Sequence, residues 1–175
     1  MYHISIYFDD KTNQKIHSYI KQIADKTGNT FMIDRNVPPH ITISAFETKS
    51  EEDAIKRVET CAKILSQGEI YFATVGEFFP YVIYVSPVLN EYLHKMSVAI
   101  HTQITEIVDV SVSRFYQPHQ WFPHVTVGKT LSQEEMRSAF EIMQNQFGDF
   151  KGTVTRIGLA KTNPYRNLVE YTLKN

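Results

Sequence analysis

One five-residue pattern, used twice, constrains this chain more than anything else in it. Pro39-His40-Ile41-Thr42-Ile43 and Pro123-His124-Val125-Thr126-Val127 both read Pro-His-aliphatic-Thr-aliphatic, with the two histidines 84 positions apart. Side chains on an extended strand alternate between its faces. His40 and Thr42 therefore share one face, and Ile41 and Ile43 the other; the second copy divides in the same way. Each strand thus has one face fit for burial and one that offers an imidazole beside a hydroxyl. A fold that juxtaposes the copies surrounds one small anion with two titratable groups and two hydroxyl donors.

The segments around the motifs also recur in order. His3 to Phe8 alternates as a strand with Ile4, Ile6 and Phe8 on its apolar face, and His3, Ser5 and Tyr7 on the other. If this strand pairs beside the first motif, those three line the same cleft as His40. Asp9 or Asp10 is a capping residue for a helix bearing Ile16, Tyr19, Ile20 and Ile23, with Gly28 as its stop. A loop through Pro38 and Pro39 leads into the motif strand, about 41–46. Ser50 to Asp53 resembles a capping box before a stripe of Ile55, Val58, Ala62 and Leu65. Strands follow near 70–79 and 81–86, then a helix from about 90 to 108 carrying Leu93, Met96, Ile100, Ile104 and Ile107. The stretch 109–121 has no clear period and reads as a lid or binding loop before the second motif. Ser132 to Glu135 repeats the capping signature ahead of Met136, Phe140 and Met143, with Gly148 as terminator. Strands near 153–161 and 168–173 close the chain. The order strand, helix, motif strand, capped helix, strand thus occurs twice and predicts a two-lobed α+β fold. It is read as a single domain spanning 1–175, with pseudo-repeats of about 1–79 and 80–175.

Composition narrows the partners. With 42% hydrophobic and 21% charged residues the chain is ordinary for a globular protein. A formal charge of −1 supplies no global basic field, so a nucleic-acid substrate has to be small or gripped locally. Cys61 has no internal partner and fits a reducing compartment. Neither a signal peptide nor a membrane-length apolar window is apparent, and a cytoplasmic location is expected.

Histidine titrates near pH ~6.5 when unperturbed, so a pair can hold one neutral base and one charged acid near neutrality. That suits displacement at phosphorus, with one imidazole taking a proton from water and the other protonating the departing ribose oxygen. The Thr42 and Thr126 hydroxyls are placed to bind the non-bridging oxygens. This scheme needs no metal.

In these motifs, and in the supporting Val75-Gly76-Glu77-Phe78-Phe79 and Val82-Ile83-Tyr84-Val85, the chain resembles the 2H phosphoesterases. That family is named for its two His-x-Thr/Ser motifs and includes 2′-5′ RNA ligases and cyclic phosphodiesterases. The resemblance spans essentially the whole chain. It implies two similar lobes, as two antiparallel-rich sheets lining a central cleft with helices on their outer faces. It implies a metal-independent, cofactor-free site acting on 2′,3′-cyclic or 2′-5′ phosphodiesters of a small nucleotide or an RNA end. No membrane or obligate protein partner is expected. Catalysis falls to His40 and His124, phosphate binding to Thr42 and Thr126, and a basic contact after the second motif to Lys129.

Other residues are open to two readings. Tyr7 is the preferred auxiliary substrate contact, against a core or rim tyrosine, and Tyr84 is a similar case. Phe115, Tyr116 and Trp121 could stack on a base, or belong to the core; Trp121 is the one carried forward as a substrate contact. His94 and His101 share one side of a helix and read as solvated or boundary residues. His119 and His124 lack a metal-binding signature around them. A non-catalytic nucleotide- or RNA-end-binding module of the same fold, and a metal hydrolase, are the competing classes.

Overall fold

The computed structural model describes residues 1–175. Strand β1 (Tyr2–Phe8) buries Ile4, Ile6 and Phe8. Helix α1 (Asp10–Thr27) starts where the Asp9 carboxylate accepts from the Thr12 amide. It stops at Gly28, whose φ of 77° is the left-handed geometry that glycine adopts without strain. A short helix, α2 (Phe31–Asp34), interrupts the expected loop before β2 (His40–Glu47). Then come α3 (Glu51–Ile64), the hairpin β3 (Gly68–Phe78) and β4 (Val82–Pro87), and α4 (Glu91–Thr105). The stretch after α4 holds β5 (Ser111–Val112) and one 3-10 turn (Arg114–Tyr116). β6 (Val125–Gly128), α5 (Gln133–Gln146), β7 (Phe150–Lys161) and β8 (Arg166–Thr172) complete the chain.

Capping residues Ser50, Asn90 and Ser132 each accept from the amide three residues on, and at α5 the Glu135 carboxylate accepts in return from the Ser132 amide, completing a capping box. The stripe of α3 is rotated from the expected one. Ala54, Val58, Cys61 and Ala62 are buried, while Ile55 and Leu65 lie at its border. Gly148 does not end α5 in left-handed geometry; the helix closes at Phe147 with φ −75°.

The two sheets that the family resemblance implies are one. Eight strands run β5-β2-β1-β7-β3-β4-β6, with β8 on β7, and every pairing between these strands is antiparallel. The join is β7. β1 runs along one edge of it; β3 and β8 lie end to end on the other, against Phe150–Val154 and Arg156–Lys161. Helices cover the apolar face in pairs drawn from both halves, α1 against α5 and α3 against α4. α1 also touches β6, and α4 touches β2, so each motif strand is backed by a helix from the opposite half. The result is one hydrophobic cluster of 35 residues. No helix is long and apolar enough to cross a membrane.

Candidate active site

The motif strands reach the site through their neighbours. β1 pairs with β2 in a register that sets Tyr7 beside His40 and Ser5 beside Thr42, so His3, Ser5 and Tyr7 do face the same side as the first motif. The Ser5 and Thr42 hydroxyl oxygens are 3.3 Å apart. β4 carries Tyr84 beside Thr126, and the Ser86 hydroxyl donates to the Pro123 carbonyl at 2.7 Å, which steadies the approach to the second motif.

Both histidines are held alike. His40 Nδ1 lies 2.8 Å from the Pro38 carbonyl, and His124 Nδ1 lies 2.9 Å from the Phe122 carbonyl. A carbonyl only accepts, so Nδ1 carries the proton in each ring and Nε2 is left with the free lone pair. The prolines explain the match. A residue before proline is pushed into extended geometry, which turns the carbonyls of Pro38 and Phe122 toward the ring two residues on.

His40, Thr42, His124, Thr126, Tyr7 and Lys129 line one cleft of about 340 Å³. His3, Ser5 and Tyr116 line it too. Trp121 does not. It is 5% exposed, and its indole N–H donates to the Thr42 carbonyl at 2.9 Å, so the residue expected to stack on substrate instead pins the first motif from behind. Of the aromatics in 109–121, Tyr116 reaches the cleft, its ring 6.4 Å from His3, and Phe115 is exposed outside it. Tyr84 packs on His124 at 5.5 Å, together with Phe78 at 4.8 Å, edge to face. His94 and His119 lie ring to ring at 4.5 Å, away from the cleft.

Alternation within strands carried most of these residues, but Phe31, Arg35 and the β7–β8 turn residues Thr162, Asn163 and Tyr165 also line the cleft. No periodic signal marks a four-residue helix or a turn. A larger hollow of about 660 Å³ lies between the β3–β4 tip and α5 and holds neither motif. The smaller cleft is the chemical one, because the titratable groups converge there.

Burial holds both motif histidines below the ordinary imidazole range, opposed by their backbone carbonyls; for His40 the nearby His124 and Lys129 push in the same downward direction. His3 is pulled from 6.5 to about 4, by burial first and then by His40, the N-terminal amine and Lys129. Burial also raises Tyr7, with Tyr165 and Glu170 adding to it. No three His, Cys, Asp or Glu side chains come together as a metal-binding group.

The two-motif cleft thus sits on one antiparallel sheet backed by helices. The profile of the 2′-5′ RNA ligase superfamily matches residues 7–166, and the chain belongs to that family, the 2H phosphoesterases. Among solved structures it is similar to E. coli LigT complexed with 3′-AMP, at 12% identity and a TM-score of 0.65, covering 99% of this chain and 98% of that one. The TT0787 protein of Thermus thermophilus is similar at the same 12% identity, TM-score 0.65 and 99% and 98% coverage. A structure described as a phosphoesterase aligns at 12% identity and TM-score 0.64, again over 99% and 98%. At such identity these likenesses speak for the fold. A comparison with curated protein sequences finds no match.

Proposed function

We propose that the protein is a metal-independent phosphoesterase that acts on 2′,3′-cyclic or 2′-5′ phosphodiester bonds of nucleotides or RNA ends, with His40 and His124 as acid and base. The observation that carries this is the pair of matching Nδ1 tethers, which leave two Nε2 atoms as the exchangeable positions of one cleft. One neutral Nε2 takes a proton from the attacking water as the new P–O bond forms. The other imidazole, protonated, gives its Nε2 proton to the ribose oxygen as the old P–O bond breaks. Acid–base help of this kind is worth about 10² to 10⁴ in rate. Thr42 and Thr126 donate to the non-bridging oxygens, where charge grows in the transition state. Lys129 and Tyr7 are proposed as further substrate contacts. That E. coli LigT has been crystallised with 3′-AMP, ATP, NADP+ and phosphate supports a small nucleotide as the ligand class.

The test is a screen of 2′,3′-cyclic nucleotides, ADP-ribose 1″,2″-cyclic phosphate and 2′-5′ dinucleotides, with chelator present. Wild type is expected to turn over at least one, and His40→Ala and His124→Ala to lose turnover while keeping the wild-type circular dichroism. Turnover that survives the double replacement overturns the assignment. Saturable binding of a cyclic nucleotide with no product after long incubation would favour a binding module instead.

A further inference from the structure

We propose that the Arg35 end of the cleft is a second anion subsite, so that the preferred substrate carries a further phosphoryl group besides the scissile one. This rests on the reading of the cleft as a phosphodiester site and adds to it a specificity-determining residue.

The cleft is one-sided in charge. The chain has 19 acidic residues, yet none of the cleft-lining residues is Asp or Glu. Two lining residues, Arg35 and Lys129, carry basic side chains. Neither makes an ion pair, although most other arginines of the chain do: Arg57 with Glu106, Arg156 with Glu170 and Arg166 with Glu51. The carboxylate next to Arg35 in sequence, Asp34, is engaged by the Thr30 hydroxyl at 2.6 Å. Glu170, which bears on Tyr7 and Tyr165 at the other end of the cleft, is paired with Arg156.

Geometry gathers the two cations in one place. The Arg35 guanidinium carbon lies 5.0 Å from the Phe31 ring centroid, and Lys129 Nζ lies 6.0 Å from the same centroid. Phe31 and Arg35 come from α2 and its cap, whereas Lys129 follows the second motif strand, so residues from distant parts of the chain converge on one ring. Contact with an aromatic face limits where these long side chains wander while leaving their N–H groups free. Lys129 is among the groups that depress His40 and His3. Lys129 comes directly after the second motif strand, whereas Arg35 reaches the cleft from the cap of α2, outside either motif. The planar guanidinium suits bidentate recognition of phosphate oxygens.

Two sources supply such a group: a 5′-phosphate on the cyclic nucleotide, or the diphosphate of an ADP-ribose derivative. The experiment measures kcat/KM for 2′,3′-cyclic AMP, for the same compound bearing a 5′-phosphate, and for ADP-ribose 1″,2″-cyclic phosphate. Wild type is expected to favour at least one of the latter two by roughly five- to tenfold at low salt, an advantage that shrinks as salt rises. In Arg35→Gln that ratio falls toward one, whereas Arg137→Gln, on the separate hollow, keeps it. The substrate that shows the Arg35-dependent advantage identifies the source. A wild-type ratio of one for both, or a ratio that survives Arg35→Gln, overturns the subsite. If none of the three is turned over, calorimetry decides the subsite, and the phosphoesterase reading itself fails only if the 2′-5′ dinucleotides are not turned over either. Adenosine 3′,5′-bisphosphate then binds more tightly than adenosine 3′-phosphate in wild type and equally in Arg35→Gln, or the proposal is wrong.

Discussion

At the residue scale, the proton affinity of the two cleft imidazoles decides the pH at which the site can work. Burial depresses both, and the charge of His124 adds to the depression of His40. A base whose proton affinity is lowered becomes competent below the ordinary ~6.5, and an acid so affected loses its proton there too. The kcat/KM profile should therefore be a bell centred on the acid side of pH ~6.5, and an optimum at or above pH ~7.5 would contradict it. Replacing His124 by Gln removes one of the causes that lower His40, so the His40 imidazole, followed by NMR, should titrate at higher pH than in wild type. Trp121 makes a different kind of prediction. Trp121→Phe keeps an aromatic in the core but orphans the buried Thr42 carbonyl, a loss of about 1–3 kcal/mol. Thermal melts should fall accordingly, and kcat should drop although the residue is outside the cleft. Sequence alone misplaced Trp121 because an aromatic in a non-periodic stretch carries no sign of which way it faces. His40, Thr42 and Ser5 were legible because strand alternation does carry that sign.

Elements divide along the same line. Helices α1, α4 and α5 were readable because capping residues and apolar spacing agree, and Ser132→Ala should cost about 0.5–2 kcal/mol by denaturant titration. α2 was not, since four residues after a capped stop have no period to display. The single sheet was missed for a local reason. The strand expected from residue 153 starts at Phe150, and the added Phe150, Lys151 and Gly152 extend the pairing of Thr153 and Val154 with β3 into the five-residue ladder that joins the two sets of strands. A glycine there weakens the strand signal, yet the fold requires one, because a Cβ on Gly152 would sit 2.8 Å from the Thr12 side chain and 3.0 Å from Phe72. Gly158 is tight in a way that touches the site. A Cβ at that position would lie 2.9 Å from the Val169 carbonyl oxygen and 3.0 Å from the Tyr7 ring. Gly158→Ala should destabilise by about 1–3 kcal/mol through overpacking and raise KM by displacing Tyr7; unchanged melting and KM would refute the close packing.

For the whole molecule, acid is the informative stress. His3, His40 and His124 all bind protons less readily folded than unfolded, so the unfolded chain takes up more protons as pH falls below ~6.5. Stability from this source is complete above that pH and declines from there toward about 4, where His3 titrates. The lowered carboxylates Glu51, Asp109 and Glu135 titrate below their ordinary range, so the loss between pH ~6.5 and ~5 belongs to the histidines. Melting temperatures at pH ~7.5 and ~5 should differ, His3→Gln should reduce the difference, and added phosphate should narrow it by stabilising protonated His40 and His124. The exchanged helices also bear on the expected halves. Residues 1–79 lack α4 and α5, and residues 80–175 lack α1 and α3, so neither piece expressed alone should give a cooperative melt. One further consequence belongs to β7. A strand hydrogen-bonded along both edges resists bending, and its twist is set by backbone sterics. With the two motifs anchored on strands that share this spine, the distance between them behaves as a fixed gauge and does not close like a jaw. Such a gap is expected to sort ligands by caliper width as they enter.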